Sequence, residues 1–373
     1  MRDVVIAGYA RSPFTLANKG ALAKVRPDDL AAEVVKGLVA RTGVNAEDIE
    51  DLVLGCAFPE GEQGFNLARL VVLLADLPIS IGGMTINRFC GSSMSSVHYA
   101  AGQIQLGAGE AFICAGVESM SRVPMMGFNP MPNPSLAKSS YAYIGMGDTA
   151  ENVAKAYSLS RADQEAFAVL SQQKARDAIA AGKLMDEIVP VAGVTADGTP
   201  RPDTTAETLA GLKPAFSADG TVTAGTSSPL TDGAAAVLVC SADYAAANNL
   251  EVLAKVKSVA ISGCAPEIMG IGPVASSRKA LERAGITAAD LDVVELNEAF
   301  ASQSLAVIRD LGLDIAKVNL DGGAIAIGHP LGATGARIVG KAAALLKRQG
   351  GKYALATQCI GGGQGIATVL EAI

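Results

Sequence analysis

The residues most able to do chemistry lie in a few short segments. In N-R-F-C-G-S-S-M, Asn87–Met94, the residues Met84–Ile86 can end a strand, and Met94, Val97, Ala101 and Ile104 share one helical face. Cys90 therefore falls at a strand-to-helix turn, near a helix N-terminus. Unpaired N–H groups and the helix dipole there are expected to lower a thiol's pKa and favour the nucleophilic thiolate. The Gly-Ser-Ser that follows lets substrate approach closely and leaves N–H groups free for an oxyanion. The bland alternative is a turn thiol.

The chain has two histidines. His98, four residues after Met94, belongs to the same helix and reads as a surface or packed side chain. His329 stands in G-G-A-I-A-I-G-H-P-L-G-A-T-G-A-R, read as a second strand-to-helix turn, and the following Pro suits a first helical turn. Cys359 opens C-I-G-G-G-Q-G, Cys359–Gly365, after a strand expected over Ala354–Thr357, so three glycines place bare N–H groups beside a second thiol. A phosphate-cradling loop would end in Gly-Lys-Ser/Thr, and that ending is missing. In N-E-A-F, Asn297–Phe300, polar Asn297 and Glu298 end another strand, as part of a site or as caps.

The elements that must position these residues repeat. Val4–Ala7 and Leu52–Gly55 read as buried strands and Asp28–Ala40 as a helix, an alternation that implies a largely parallel sheet covered by helices. Arg41–Phe58 (R-T-G-V-N-A-E-D-I-E-D-L-V-L-G-C-A-F) aligns without a gap on Arg283–Phe300 (R-A-G-I-T-A-A-D-L-D-V-V-E-L-N-E-A-F). Each is a helix end, a turn and a strand, and each is followed by a Gly-rich turn. Two copies point to a duplicated α/β domain rather than a solenoid. Between them, Ser119–Ser135 is crowded with Met, Pro, Asn and Gly, Thr149–Ala181 reads as helical and Val191–Ser228 as loop-rich, a common place for substrate contacts.

Composition narrows the function further. Of 373 residues half are hydrophobic and 18% charged, the balance of a well-buried α/β enzyme rather than a disordered chain. The net charge of −7 argues against nucleic acid or an anionic membrane as the main partner. The longest apolar stretch, Leu70–Met84, is broken by Asp76 and Pro78, so no membrane span is expected. The N-terminus, M-R-D-V-V-I-A-G, lacks a signal peptide's apolar run, and a cytoplasmic location is expected. Six cysteines without any C-x-x-C pair give no metal site; Cys56, Cys114 and Cys240 sit in apolar runs as core thiols.

The set N-R-F-C-G-S-S-M, N-E-A-F, G-H-P-L-G-A-T-G and C-I-G-G-G-Q-G, in this order and spacing, resembles the thiolase family. The resemblance runs over the whole chain, through G-V-E-S-M-S, T-A-E-N and D-G-A-A-A. It implies an α/β thiolase fold, with duplicated βαβαβαββ domains in a five-layer αβαβα arrangement and an inserted loop domain. The N-terminal core is then expected at 1–117 plus 231–250, the CoA-binding loop domain at 118–230 and the C-terminal core at 251–373. N-R-F-C-G-S-S-M and E-Q-G-F-N-L-A-R (Glu62–Arg69) are similar to the degradative, fatty-acid oxidation branch.

The resemblance also assigns roles. Cys90 matches the acylated nucleophile, His329 the base that activates it, and Cys359 the acid/base that protonates the leaving acetyl-CoA carbanion and deprotonates incoming CoA. Asn297 would hold a water that with His329 forms one oxyanion hole; the N–H groups of Cys90 and Gly361 would form the second. CoA contacts fall on Arg201, Ser228, Met146, Phe216 and Phe300. Gly145 stands where the biosynthetic enzymes carry a His, which argues against an acetoacetyl-CoA preference. The implied reaction is ping-pong, CoA-dependent cleavage of a 3-ketoacyl-CoA to acetyl-CoA and a shortened acyl-CoA, with CoA a substrate and no cofactor. A homodimer or homotetramer is expected, in a complex with a β-oxidation hydratase/dehydrogenase subunit. The alternatives are an acetyl-CoA C-acetyltransferase that makes acetoacetyl-CoA, and an inactive CoA- or lipid-binding protein of the same fold.

Overall fold

The computed structural model describes residues 2–373. Its strands are β1 (Val4–Arg11), β2 (Thr15–Leu16), β3 (Ile49–Gly55), β4 (Gly82–Ile86), β5 (Ala111–Ser119), β6 (Thr231–Ser241), β7 (Ala254–Gly263), β8 (Val293–Leu296), β9 (Tyr353–Ile360) and β10 (Gln364–Glu371). The helices are α1 (Pro27–Thr42), α2 (Leu67–Leu74), α3 (Ser92–Leu106), α4 (Pro134–Ser139), α5 (Met146–Ala156), α6 (Arg161–Ala180), α7 (Ala206–Ala210), α8 (Ala242–Ala247), α9 (Gly272–Ala284), α10 (Ala301–Leu311), α11 (Ala324–Ile327) and α12 (Leu331–Gln349).

The strands follow the order β4-β3-β5-β6-β1-β7-β10-β9-β8, with β2 added to β6. The two halves meet where β1 and β7 share only the Val5–Lys255 and Ile6–Ala254 pairs. In the first half β3 is parallel to β4 and β5, and β5, β6 and β1 are antiparallel neighbours. The second half repeats this plan, with β8 parallel to β9 and β9, β10 and β7 antiparallel, so the sheet is mixed and mostly antiparallel rather than the largely parallel one expected, because hairpins and not only helical crossovers join its strands. A single parallel bridge, Val294 to Val318, stands where β4 stands in the first half.

The sequence repeat has a structural counterpart. Gly43 (φ 66°) ends α1 and Gly285 (φ 70°) ends α9, each in the left-handed conformation that a glycine adopts without strain. A 3₁₀ turn and then β3 or β8 follow in both copies.

Helices sort into layers by the face they cover. Helices α1 and α2 pack on the outer side of the first half and α9 on the outer side of the second, while α3 and α12 lie between the halves. The middle layer joins Met94, Val97 and Ile104 of α3 to Ile338, Val339 and Leu346 of α12 and to Ile360 and Ile366 of the second half. Because β6 is covered on both faces, it reads as an unbroken small-apolar run, Ala234–Cys240, rather than an alternation. Burial of each such leucine or isoleucine contributes about 1.5–3 kcal/mol. The two central helices touch closely, since a Cβ on Gly335 of α12 would collide with the main chain of Met94.

Residues 120–230 carry α4–α7 between β5 and β6. The helical stretch expected over Thr149–Ala181 is divided: Ser158 turns at φ 51°, and Ser160 caps α6 with a reciprocal Asp163 contact. This segment is fastened to both halves by buried charges. Arg11 of β1 meets Glu187 at 2.7 Å and Asp197 at 2.7 Å, and Lys341 of α12 meets Glu187 at 2.7 Å and Asp321 at 2.8 Å. Glu187, Asp197 and Asp321 each face a cation in this network, which offsets the cost of their burial.

Two local expectations change. His329 follows a helical turn, α11, and not a strand. The Glu298 carboxylate accepts from Ile325 N–H at 3.1 Å and from Ser171 and Asn319, which caps that turn. Cys359 lies inside a strand rather than after one, because β9 runs on to Ile360 and the three glycines form its hairpin turn into β10.

Candidate active site

Cys90 sits in the turn between β4 and α3, two residues ahead of the first helical residue. The turn is held from within. Asn87 accepts from Phe89 N–H at 2.7 Å and donates to the Ala57 carbonyl at 2.9 Å, which sustains Phe89 at φ 43°. Ser92 closes the same turn, its hydroxyl donating to the Phe89 carbonyl at 2.6 Å. From the second half, Gln358 donates to the Cys90 carbonyl. The N–H groups of Gly361 and of Cys90 itself hydrogen-bond to the Cys90 sulfur.

The helix start was expected to lower the Cys90 pKa, and the opposite holds. Burial pushes the thiol up to about 12, the nearby Glu118 carboxylate adds to the rise, and the two N–H groups offset only part of it. No cation counters this. At rest Cys90 is therefore a thiol. Alkylation of Cys90 by iodoacetamide should accelerate about tenfold per pH unit from pH 7 to 10 without levelling, because thiolate keeps accumulating toward the raised pKa. A plateau near neutral pH would show a thiol acidified by the helix.

His329 stands between α11 and α12, with Gly328 at φ 106° before it. Its main-chain N–H donates to Thr231 at 3.2 Å, and its Nδ1 lies 2.6 Å from the Thr334 hydroxyl. That hydroxyl spends its own proton on the Pro330 carbonyl at 3.0 Å. Thr334 must therefore accept from Nδ1–H, which leaves Nε2 as the unprotonated nitrogen. Nε2 is 3.4 Å from Nδ2 of Asn297. Burial, and then the positive charge of Arg337, hold the imidazole's pKa down to about 3, so it rests neutral.

Asn297 ends β8, tied by its N–H to the Thr357 carbonyl at 3.0 Å, and its Oδ1 is buried without a hydrogen-bond partner. Cys359 is buried in one apolar cluster with Met269, Phe300, Ala150 and Met146. Its thiol is raised by burial and by the neighbouring Cys90. Cys90 in turn packs with Met120, Phe58 and Leu331, the last two residues beyond His329. A Cβ on Gly361 would lie 3.6 Å from Met146 Sδ, so Met146 flanks the hairpin turn.

The structure thus gathers Cys90, Gly361 and Cys359 at one point and pairs His329 with Asn297, and Leu331, two residues beyond His329, packs against Cys90. Of the CoA candidates, Phe300 and Phe216 meet edge to face with ring centres 6.0 Å apart, and the Ser228 N–H donates to the Ala299 carbonyl at 3.0 Å. Arg201 is exposed and stands outside this cluster, its N–H on Gln172. His98 is a packed residue, its Nε2 2.9 Å from the Thr368 hydroxyl. A cleft of about 700 Å³ opens nearby, lined by Tyr141, Tyr143, Ile144 and Ile268. Ile144 and Ile268 are close in sequence to Met146 and Met269 of the Cys359 cluster.

Sequence reasoning assigned no role to Thr334, Thr231 or Glu118. Glu118 carried a signal: it is a lone carboxylate in the otherwise uncharged buried run A-F-I-C-A-G-V-E-S. Thr334 carried none beyond its place five residues after His329.

The family model for the thiolase N-terminal domain matches residues 4–243, and that for the C-terminal domain matches 250–372. The chain belongs to the thiolase family. A 3-ketoacyl-CoA thiolase of Bacillus subtilis is 49% identical to this thiolase over the full length of both chains. One from a Marinomonas species is also 49% identical, over all of this chain and 98% of its own. Among solved structures, human mitochondrial 3-ketoacyl-CoA thiolase in complex with CoA superposes with a TM-score of 0.92 at 39% identity, covering 100% of this thiolase and 98% of that chain. The layered, duplicated architecture described above is the thiolase fold. No helix among the described residues is long and apolar enough to cross a membrane.

Proposed function

We propose that this thiolase cleaves 3-ketoacyl-CoA with CoA, releasing acetyl-CoA and an acyl-CoA two carbons shorter. The observation that carries the reading is the meeting of two protonated thiols with the N–H groups of Cys90 and Gly361, with an imidazole whose unprotonated Nε2 faces Asn297 two residues before Leu331, which packs on Cys90. In the first half-reaction Nε2 of His329 takes the Cys90 proton as sulfur attacks the ketone carbon. The developing oxyanion lies between the N–H groups of Cys90 and Gly361, each worth about 3 kcal/mol in the transition state. The C2–C3 bond then breaks toward the thioester, and the enolate oxygen is held by His329 and by a water on Asn297. Cys359 gives its proton to the carbanion, and acetyl-CoA leaves. In the second half-reaction the Cys359 thiolate takes the proton of incoming CoA, whose sulfur attacks the Cys90 thioester. Cys90 recovers its proton from His329. Both acids end as they began, which is what a two-step acyl transfer requires.

In this reading CoA lies along Ser228, Phe216, Phe300 and Met146, with Arg201 near its adenine end. The acyl chain passes Met146 toward the cleft of Tyr141, Tyr143 and Ile268. Gly145 adds no side chain at that entrance. Each methylene that finds apolar wall contributes up to about 0.8 kcal/mol. Profiling kcat/KM for thiolysis across chain lengths tests this: substrates of about six to ten carbons should match or exceed acetoacetyl-CoA. Activity confined to acetoacetyl-CoA would transfer the assignment to an acetyl-CoA C-acetyltransferase, and no thiolysis at all would leave a binding protein.

The same reading includes self-association, a cytoplasmic setting in fatty-acid oxidation, and work beside the hydratase/dehydrogenase that supplies the 3-ketoacyl-CoA. Strand β4 is an edge strand, and Phe65, Leu73 and Ile79 stand exposed near it, with Phe65 96% accessible. Light scattering should give at least twice the 37.8 kDa chain mass at micromolar concentration. A 37.8 kDa particle would rule out the dimer.

A further inference from the structure

A buried carboxylate joins the two pieces of chain that carry Cys90 and His329. Glu118, on β5, is 1% exposed. Its Oε2 accepts from the N–H groups of Ala57 and Gly332, each at 2.8 Å. Its Oε1 accepts from Phe58 N–H at 3.2 Å and from the Gln63 amide at 2.8 Å, with the Cys56 thiol at 3.7 Å. All of these donors are neutral, so oriented dipoles rather than a counter-ion hold the charge, in a site where desolvation alone would favour protonation.

The donors belong to both halves of the catalytic site. Gly332 is the second residue of α12, three beyond His329, and its N–H is one that a helix start cannot satisfy internally. The Ala57 carbonyl is the anchor of Asn87, which in turn holds the Phe89 N–H, immediately before Cys90. The junction has no slack: a Cβ on Gly332 would lie 2.5 Å from the Val117 carbonyl oxygen and 2.7 Å from that of Gly55. We infer that Glu118 is a positioning residue, locking the Cys90 turn and the His329 end of α12 into one unit across the two halves of the molecule. The inference rests on the thiolysis reading above. Its charge has a second effect on the nucleophile, since Glu118 is the charged group that raises the Cys90 thiol. Of the other titratable groups on the elements around that thiol, Cys359 on β9, Cys56 behind Glu118 and His329 are neutral, and the Arg88 guanidinium is turned to Ser95 and Gln364.

Two variants separate reach from charge. Glu118→Gln keeps the shape, removes the charge and turns an NH₂ toward N–H donors. Glu118→Asp keeps the charge but is one methylene short of meeting Gly332 and Phe58 together. With a 3-ketoacyl-CoA and CoA, Glu118→Gln should lose about 100-fold in kcat with little change in KM, the scale of a misplaced catalytic pair. Its Cys90 should alkylate about tenfold faster than wild type at pH 8, because the opposing charge is gone. Glu118→Asp should lose kcat while its alkylation rate stays at the wild-type value. Wild-type kcat in either variant would overturn the inference. So would a loss in Glu118→Gln without faster alkylation, which is what a merely structural residue would show. If Glu118→Gln does not fold by circular dichroism, the kcat of Glu118→Asp decides alone. Wild-type protein that alkylates at Cys90 but has no thiolysis activity would instead overturn the function proposed above.

Discussion

Incubation with a short acyl-CoA followed by peptide mapping should place the acyl group on the peptide that holds Cys90, and Cys90→Ser should lower turnover by about 10⁴-fold or more while CoA still binds. Two thiols compete for this assignment, and their raised pKa values do not separate them, since both rest protonated. Their surroundings do. The Cys90 sulfur already receives the N–H groups of Gly361 and Cys90, and those donors would face the oxygen of an acyl group on that sulfur. Cys90 is also the more open of the two, half-buried where Cys359 is 1% exposed. A serine hydroxyl gives up its proton far less readily than a thiol, and a neutral imidazole with a pKa of about 3 is too weak a base to make up the difference. Label on Cys359 alone would reverse the roles of the two thiols.

The turn that carries Cys90 was legible because its signals are local: a strand ending at Ile86, small residues, then Met94, Val97, Ala101 and Ile104 at helical spacing. The duplication was legible for a similar reason, with Gly43 and Gly285 each ending a helix in a conformation that favours glycine. The strand before His329 misled because Ala324–Ile327 is a four-residue apolar run, too short for periodicity to tell helix from strand. What decided it was Glu298, whose carboxylate caps that turn, with Ser171 held 127 positions away in sequence. The direction of the Cys90 pKa was hidden for the same kind of reason. A helix N-terminus can be read from spacing, but the desolvation that outweighs it comes from Ile360 and the hairpin of the other half, against which Gly91 packs. The buried charges Arg11, Glu187, Lys341 and Asp321 show no pattern in sequence, because each partner comes from a different element. Long-range partners were what local reading could not supply.

Replacing the second thiol should divide the reaction. Cys359→Ala is expected to leave Cys90 open to acylation by acyl-CoA while lowering cleavage of 3-ketoacyl-CoA by about 10²–10⁴-fold, the range of a lost general acid. Acylation by an ordinary acyl-CoA expels a CoA thiolate, a stable leaving group that needs little help. Cleavage of a 3-ketoacyl-CoA expels a carbanion, which reverts unless a proton is delivered to carbon. In the proposed mechanism Cys359 makes that delivery: it is buried, and it sits beside Cys90 among Met146, Phe300 and Met269. Its raised pKa keeps the proton in place until the carbanion forms, a far stronger base than the thiolate left behind. Exchange of acetyl-CoA methyl hydrogens with deuterated water follows the same step in reverse, and it should stop in this variant. If Cys359→Ala still exchanged those hydrogens at the wild-type rate, another group would have to be the acid, and His329 would be the residue to test next.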